Sequence, residues 1–224
     1  MPKVYLSPSN QTKNAYAYGS TNEAEQCGRI ADACRIALER SGVTVKLGHM
    51  PSMQEKVRAS DAFGAELHVP IHTNAFNGSV MGTRMFCYNT GKGMAACKAI
   101  FTRVAPLSPG TSESIQVNPK LYEVRVPKAP TAYIECEFHD TVEGARWIVE
   151  NAAAIGEAIA RGICDCFGVT FVESEPPKPA QPEQPAEQKL YRVQVGAFAS
   201  RANAEKMVQR LKAAGFDAFI RQDV

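Results

Sequence analysis

A proline-rich segment near the C-terminus divides this 224-residue chain into two unequal parts. Residues 173–189 read ESEPPKPAQPEQPAEQK, with five prolines and almost no apolar side chains. Such a segment cannot bury enough apolar surface to offset the entropy of ordering it, and its prolines favour an extended polyproline II conformation. We therefore predict a large domain at residues 1–171, a semi-rigid linker at 172–189 and a short C-terminal segment at 190–224.

Composition and charge exclude several classes of protein. Hydrophobic residues make up 45% and charged residues 21% of the chain, which predicts a folded core. The formal net charge of +2 gives no broad basic field, so we expect no nucleic-acid partner. No run of about 20 apolar residues is present, so we expect no membrane partner. The seven cysteines are an odd number at mostly apolar positions, which favours reduced, buried thiols over a disulfide framework.

Strand and helix patterns alternate through the large domain. Apolar residues at spacings of three and four predict long helices over residues 23–40 and 142–167. Short apolar runs between the helical segments predict strands, and Ser52 with Glu55 predicts a capped helix start. This alternation predicts an α/β fold with an open, mostly parallel sheet and helices on both faces. The predicted strands lie at 3–6, 43–47, 66–71, 82–88 and 131–135.

The C-terminal segment carries a smaller version of the same pattern. Residues 191–196 and 216–220 read as strands, and residues 201–214 read as a helix between them. We predict a small βαβ unit.

Three candidate side chains lie at the ends of predicted strands and helices, where α/β proteins usually have their binding and catalytic sites. His72 closes an apolar strand, although a hydrogen-bonded structural histidine fits that position equally well. Glu135 also ends an apolar strand, where a carboxylate is unusual unless water, a metal or a partner receives it. Glu23 begins the first long helix, where the helix dipole alone would favour an acid.

Several short motifs follow one another along residues 2–170. They are Y-L-S-P-S-N at 5–10 with N-E at 22–23, I-H-T-N-A at 71–75, M-G-T at 81–83, and A-P-T-A-Y-I-E-C-E-F-H-D at 129–140. In this order and approximate spacing they resemble the zinc-dependent N-acetylmuramoyl-L-alanine amidases, and the motifs at 71–75 and 129–140 are specific as a pair. Enzymes of this family have a single open α/β domain and cleave the amide between N-acetylmuramic acid and L-alanine in bacterial cell walls.

The resemblance implies roles for individual residues. Glu23 and His72 match two of the three zinc ligands of the family, and Glu135 matches its catalytic glutamate. The implied cofactor is therefore Zn²⁺, which in catalytic sites takes three protein ligands and keeps one position open. Asn74 and His139 are expected to contact substrate, with a structural hydrogen bond as the alternative for His139.

The chain departs from the family pattern at the first ligand. The family has a histidine in a D-P-G-H turn after the first strand, and here the run is S-P-S-N, with Asn10 at that place. A carboxamide oxygen is a poorer zinc donor than an imidazole nitrogen. We expect Asn10 to be a weak third donor, with the neighbouring Gln11 as the alternative. The second hypothesis is therefore a weakened wall-binding protein on an amidase fold, and the third is a zinc peptidase that cuts within the stem peptide.

The C-terminal segment contains Y-R-V-Q-V-G-A-F at 191–198 and L-K-A-A-G-F-D-A-F at 211–219. These motifs resemble the first half of a SPOR repeat, a module that binds peptidoglycan strands stripped of stem peptides. The resemblance implies peptidoglycan as the partner. A lone half repeat exposes sheet edges, which predicts pairing into a homodimer or docking on another module. The first fourteen residues lack the features of a signal peptide. We therefore expect synthesis in the cytoplasm and action at the cell wall after release or lysis.

Overall fold

The computed structural model describes residues 1–174 and 193–221 of the chain. The chain forms two compact units, Met1–Ser174 and Glu175–Val224. Residues 175–189 of the predicted linker lie outside the described residues.

The first unit is built on one sheet of six strands: β1 (Lys3–Pro8), β2 (Thr44–Leu47), β3 (Leu67–Asn74), β4 (Arg84–Cys87), β5 (Ser114–Val117) and β6 (Tyr133–Phe138). The strand order is β2-β1-β3-β6-β4-β5. Every neighbouring pair is parallel except β4 and β6, which run antiparallel. The predicted open, mostly parallel α/β fold is confirmed.

Helices cover both faces of the sheet: α1 (Glu23–Arg40), α2 (Met53–Phe63), α3 (Lys92–Val104), α4 (Tyr122–Arg125) and α5 (Val142–Phe167), with α6 (Arg201–Ala213) in the second unit. α5 packs between α1 and α3 over one face and closes the main apolar core. α2 and α4 contact the opposite face. Within the described ranges, no helix has the length and apolarity needed to cross a membrane.

Polar caps fix the helix starts that the sequence predicts. The Asn22 side chain accepts a hydrogen bond from Glu25 N at the start of α1, and Ser52 does the same for Glu55 N at the start of α2. Each cap satisfies a backbone donor that has no partner within its own helix. The cap at Asn22 sets where α1 begins, and so places Glu23 at the edge of the sheet.

Close packing of α5 on α1 depends on Gly156. A Cβ added there would lie 2.5 Å from Ile30 O and 2.8 Å from Cys34 N, both backbone atoms of α1. A glycine inside a helix ordinarily costs about 0.5–1 kcal/mol relative to alanine. At Gly156, the clash of an added Cβ with the backbone of α1 would cost more than the stability that alanine would otherwise add to the helix.

We expect Gly156→Ala to lower the free energy of unfolding by about 1–3 kcal/mol, because one helix must move away from the other. Urea unfolding of the full chain measures the change. Ala154→Val, on the exposed side of the same helix, is the control and should change the unfolding free energy by less than about 1 kcal/mol. A Gly156→Ala protein as stable as the unmodified chain would contradict the packing described.

A buried polar network lies on the face that α2 and α4 cover. Glu123 Oε1 accepts hydrogen bonds from the Ser7 hydroxyl at 2.5 Å and from His68 Nε2 at 3.3 Å. Lys56 Nζ, also buried, donates to Pro8 O at 2.6 Å. Burial lowers the pKa of Lys56, although the nearby Glu123 carboxylate acts in the opposite direction. The network fixes the carboxyl end of β1, from which the loop toward Glu23 departs.

The second unit contains α6, as the sequence pattern predicts. Residues 191–196 and 216–220 are predicted strands, but within the described residues 193–221 neither segment pairs into a sheet. A strand is stabilised by pairing with neighbours, and two short segments beside one helix offer too few. Apolar side chains in these segments, including Val193 and Phe219, are exposed. Homodimerisation through this unit stays a prediction, which sedimentation of the full chain would check.

Candidate active site

Neighbouring positions on β3 and β6 bring His72 and Glu135 side by side. The two strands are parallel neighbours, and His72 pairs with Glu135 in their register. Neither residue ends its strand as the sequence predicts, because β3 continues to Asn74 and β6 continues to Phe138. Side chains directly opposite each other on neighbouring strands point to the same face, so the register places an imidazole and a carboxylate together.

Glu23 joins them from the start of α1. Its side chain is 1% exposed, and its Oε1 accepts a hydrogen bond from His72 Nδ1 at 2.8 Å. Burial acts to raise the pKa of Glu23, but the bond and charge of His72 and the donors Asn14 and Ser9 outweigh it, so the pKa falls below its usual value. Glu23 is therefore a carboxylate at neutral pH.

Tyr133 forms one wall of the site. Its ring stacks on the His72 imidazole with centroids 4.7 Å apart and planes 16° from parallel. Because Tyr133 and Glu135 are two residues apart on β6, both side chains lie on the same face. The stacking fixes the plane of His72 and so directs its ring nitrogens.

Two buried polar atoms in the site have no hydrogen-bond partner in the part of the chain that the structure describes. They are His72 Nε2 and Glu135 Oε2. Buried polar atoms are nearly always paired in folded proteins, so two unpaired atoms on facing residues indicate that a group from outside the chain completes the site. Burial raises the pKa of Glu135 to about 7, against the opposing effect of His72. Such a carboxyl group can both take up and release a proton near neutral pH.

A second glutamate on β6 behaves differently. Glu137 Oε1 accepts hydrogen bonds from Gly82 N at 2.6 Å and from Phe138 N at 2.7 Å, and its Oε2 accepts one from the Ser108 hydroxyl. All of its acceptor atoms are thus used to join two loops to the strand. Of the two glutamates in the E-C-E run, Glu135 is the one with a carboxylate oxygen left for chemistry.

The amide side chains in the loop after β1 have different hydrogen-bond partners. Asn10 Nδ2 donates to Pro51 O at 2.7 Å, which turns this side chain toward the loop after β2. Gln11 Nε2 instead lies 3.4 Å from Glu23 Oε1, and Asn14 Nδ2 lies 2.6 Å from Glu23 Oε2. The structure brings Gln11 to Glu23 and does not bring the Asn10 amide there.

The two expected substrate-binding residues also differ in their surroundings. Asn74 is half-buried at the end of β3, and its Oδ1 accepts a hydrogen bond from Ala75 N at 2.9 Å. His139 is 3% exposed, with Nδ1 2.9 Å from the Thr73 hydroxyl and its ring stacked on Tyr16. These contacts agree with the alternative role for His139, a structural hydrogen bond. Burial lowers the pKa of His139, which favours the neutral imidazole.

Donors suited to a divalent cation are present in part. Within residues 1–174 and 193–221, no three His, Cys, Asp or Glu side chains form a metal-binding group. His72 and Glu23 supply one nitrogen and one carboxylate, and the other side chains that bond to Glu23 are the neutral groups of Gln11, Asn14 and Ser9. This set fits a cation held by two strong donors and a weaker neutral oxygen.

Comparison with known proteins shows which family this chain belongs to. The model of the N-acetylmuramoyl-L-alanine amidase family matches residues 6–165. The chain belongs to this amidase family. A model of the SPOR domain matches residues 175–224, so both likenesses drawn from the sequence are confirmed.

One curated relative is the sporulation-specific N-acetylmuramoyl-L-alanine amidase of Bacillus subtilis (strain 168). It is 23% identical over 228 residues, which cover 98% of this chain and 84% of that protein. At this identity the relative supports the amidase assignment of the family model.

Solved amidase structures share the fold. The catalytic domain of CwlV from Bacillus (Paenibacillus) polymyxa var. colistinus superposes with a TM-score of 0.68 at 15% identity, covering 76% of this chain and 100% of that one. Cwp6 from Clostridium difficile gives 0.67 at 20% identity, covering 74% of this chain but 29% of Cwp6. The chain therefore spans less than a third of Cwp6.

Sequence reasoning missed two residues of the site. Tyr133 could have been found, because it lies two residues before Glu135 on a strand and so on the same face. Asn14 carries no such signal, since only the folding of the loop brings it to Glu23.

Proposed function

We propose that this amidase-family chain hydrolyses the amide bond between N-acetylmuramic acid and L-alanine in peptidoglycan, using Zn²⁺. The observation that carries the proposal is that Glu23 bonds to His72 on β3, that His72 lies opposite Glu135 on β6, and that two buried polar atoms of this group have no partner within the described residues. Such a pairing of cation donors with a nearby carboxylate suits hydrolysis of an amide.

Glu23 and His72 would hold the zinc ion, with Gln11 as the third, weaker donor. When bound, zinc supplies Lewis-acid chemistry: it polarises the scissile carbonyl and makes the attacking water more acidic. The Glu23 carboxylate contributes the negative charge of the site, and Tyr133 keeps the His72 ring in one plane. Asn10 is not included, because its amide is bonded to Pro51 O.

Glu135 would move the proton. Its Oε2 takes a proton from water as the water oxygen attacks the carbonyl carbon, and passes it to the nitrogen of L-alanine as the C–N bond breaks. The products are the lactyl carboxylate of N-acetylmuramic acid and a free N-terminal L-alanine. Asn74, at the end of β3 next to this site, is the proposed substrate contact.

The C-terminal unit would bind the same polymer. A SPOR match beside an amidase match supports peptidoglycan as the common partner, and a tether between them raises the local concentration of substrate at the site. The proposed place of action is the cell wall.

A specific observation favours a second candidate, a wall-binding protein with weakened catalysis. Neutral amides from Gln11 and Asn14 face Glu23, and Asn10 occupies the sequence position at which the family has a histidine. A weakly held cation would leave peptidoglycan binding intact and reduce cleavage.

Digestion of purified sacculi by the full chain separates these candidates. We expect mass spectrometry to show new N-terminal L-alanine on released peptides, and a chelator to abolish the release. A control digest without protein sets the background. Sacculi that bind the protein but stay uncut with added Zn²⁺ would favour the binding protein, and new termini at other stem-peptide bonds would indicate a peptidase.

A further inference from the structure

We propose that Asn14 is a positioning residue of the cation site, which holds Glu23 and Gln11 in the arrangement that receives the ion. The inference rests on the proposed function in one respect, that Glu23 and His72 bind a divalent cation. It concerns a residue for which the sequence gives no signal and which lies nine positions before Glu23.

Asn14 contacts Glu23 in two independent ways. Its Nδ2 donates to Glu23 Oε2 at 2.6 Å, and its backbone carbonyl accepts a hydrogen bond from Glu23 N at 3.0 Å. The intervening residues turn back on themselves, with an antiparallel bridge between Ala15 and Asn22. This turn returns Asn14 to the start of α1, so its contact with Glu23 is built into the fold of the loop.

Each oxygen of the Glu23 carboxylate has a different partner. Oε2 accepts from Asn14 Nδ2, whereas Oε1 accepts from His72 Nδ1 at 2.8 Å. A cation that replaced the proton between Oε1 and Nδ1 would take both atoms as donors, while Asn14 kept its bond to Oε2. Outer groups that orient a ligand are a regular part of metal sites.

Asn14 also holds the proposed third donor. Its Nδ2 lies 3.0 Å from Gln11 Oε1, and Gln11 Nε2 lies 3.4 Å from Glu23 Oε1. A side-chain amide has two N–H donors, so Asn14 Nδ2 can donate to Gln11 Oε1 and to Glu23 Oε2 at the same time. Asn14 therefore ties the Gln11 side chain beside the Glu23 carboxylate.

Titration of the full chain with CoCl₂ tests the proposal, because bound Co²⁺ absorbs visible light according to its ligands. We expect Asn14→Ala to weaken Co²⁺ binding about 10- to 100-fold and to change the visible spectrum. Asn89→Ala, which removes an exposed amide whose Oδ1 caps a distant turn, is the matched control and should bind as the unmodified chain does. Circular dichroism of the metal-free proteins shows whether each variant is folded.

A mutant cycle separates positioning from a general effect on the loop. If Asn14 acts through Gln11, the Asn14→Ala/Gln11→Ala double variant should lose less affinity than the product of the two single losses. Should Asn14→Ala fail to fold, Asn14→Ser keeps a shorter polar group in the turn and should still weaken binding.

Two results would overturn the inference: a folded Asn14→Ala or Asn14→Ser protein with unchanged affinity and spectrum, or an unmodified chain that binds no Co²⁺ at millimolar concentration. Cleavage of sacculi is scored separately. Co²⁺ binding that depends on Asn14, together with uncut sacculi, would reject the proposed hydrolysis and leave this inference standing.

Discussion

Glu135→Gln should lower kcat for amide hydrolysis roughly 10²- to 10⁴-fold, the usual contribution of a positioned acid or base. Glutamine has nearly the same shape, but its amide can neither accept the proton of the attacking water nor pass it to the leaving nitrogen. Glu135 Oε2 is buried and unpaired within the described residues, so no protein hydrogen bond is lost by the change at that atom. Initial rates of N-terminal alanine release from sacculi measure the effect.

The Glu135→Gln protein should still fold and bind its cation, because Glu23 and His72 are unchanged. Glu143→Gln, which neutralises an exposed carboxylate in the first turn of α5, is the matched control and should keep full activity. A Glu135→Gln enzyme with an unchanged rate would show that Glu135 takes no part in the proton transfer. Glu137→Gln is not a suitable comparison, because the Glu137 carboxylate accepts hydrogen bonds that hold the structure together, and its loss would change more than the charge.

His72→Ala should abolish cation binding in the micromolar range, an affinity loss on the order of 100-fold or more. The other side chains that bond to Glu23 within the described residues are the amides of Gln11 and Asn14 and the Ser9 hydroxyl, so the imidazole is the one basic nitrogen that the structure brings to this carboxylate. Zinc added to the variant should therefore not restore cleavage of sacculi. Calorimetric titration with Zn²⁺ measures the affinity directly.

His49→Ala is the control for loss of an imidazole elsewhere, since His49 is exposed in the loop after β2. Its zinc affinity at the site should match that of the unmodified chain. If His72→Ala bound zinc as tightly as before, the cation would have to be held by other residues, and the proposed roles of Glu23 and His72 would both be rejected.

Long periodic segments could be read from the sequence together with their bounds. α1 and α5 begin and end where the spacing of apolar residues predicts, because each buries one stripe against the sheet over many turns. The sequence does not predict β5 or α4, because β5 (S-I-Q-V) has no apolar run and is half exposed, and α4 is only about one helical turn. The predicted strand ends at His72 and Glu135 were wrong: β3 continues for two residues beyond His72 and β6 for three beyond Glu135, because the polar residues that follow are also buried in the sheet or paired with neighbouring strands.

The sequence by itself determined the α/β class and singled out His72 and Glu135 as candidates, because each follows from a local pattern of apolar and polar residues. Only the tertiary structure decided which amide reaches Glu23. Asn10, Gln11 and Asn14 are chemically alike and close in sequence, but the turn at residues 15–22 brings Asn14 to Glu23, and a bond to Pro51 O turns Asn10 away. The Asn10 bond spans 41 residues and the Asn14 contact forms only once the loop has closed, so no local pattern encodes either.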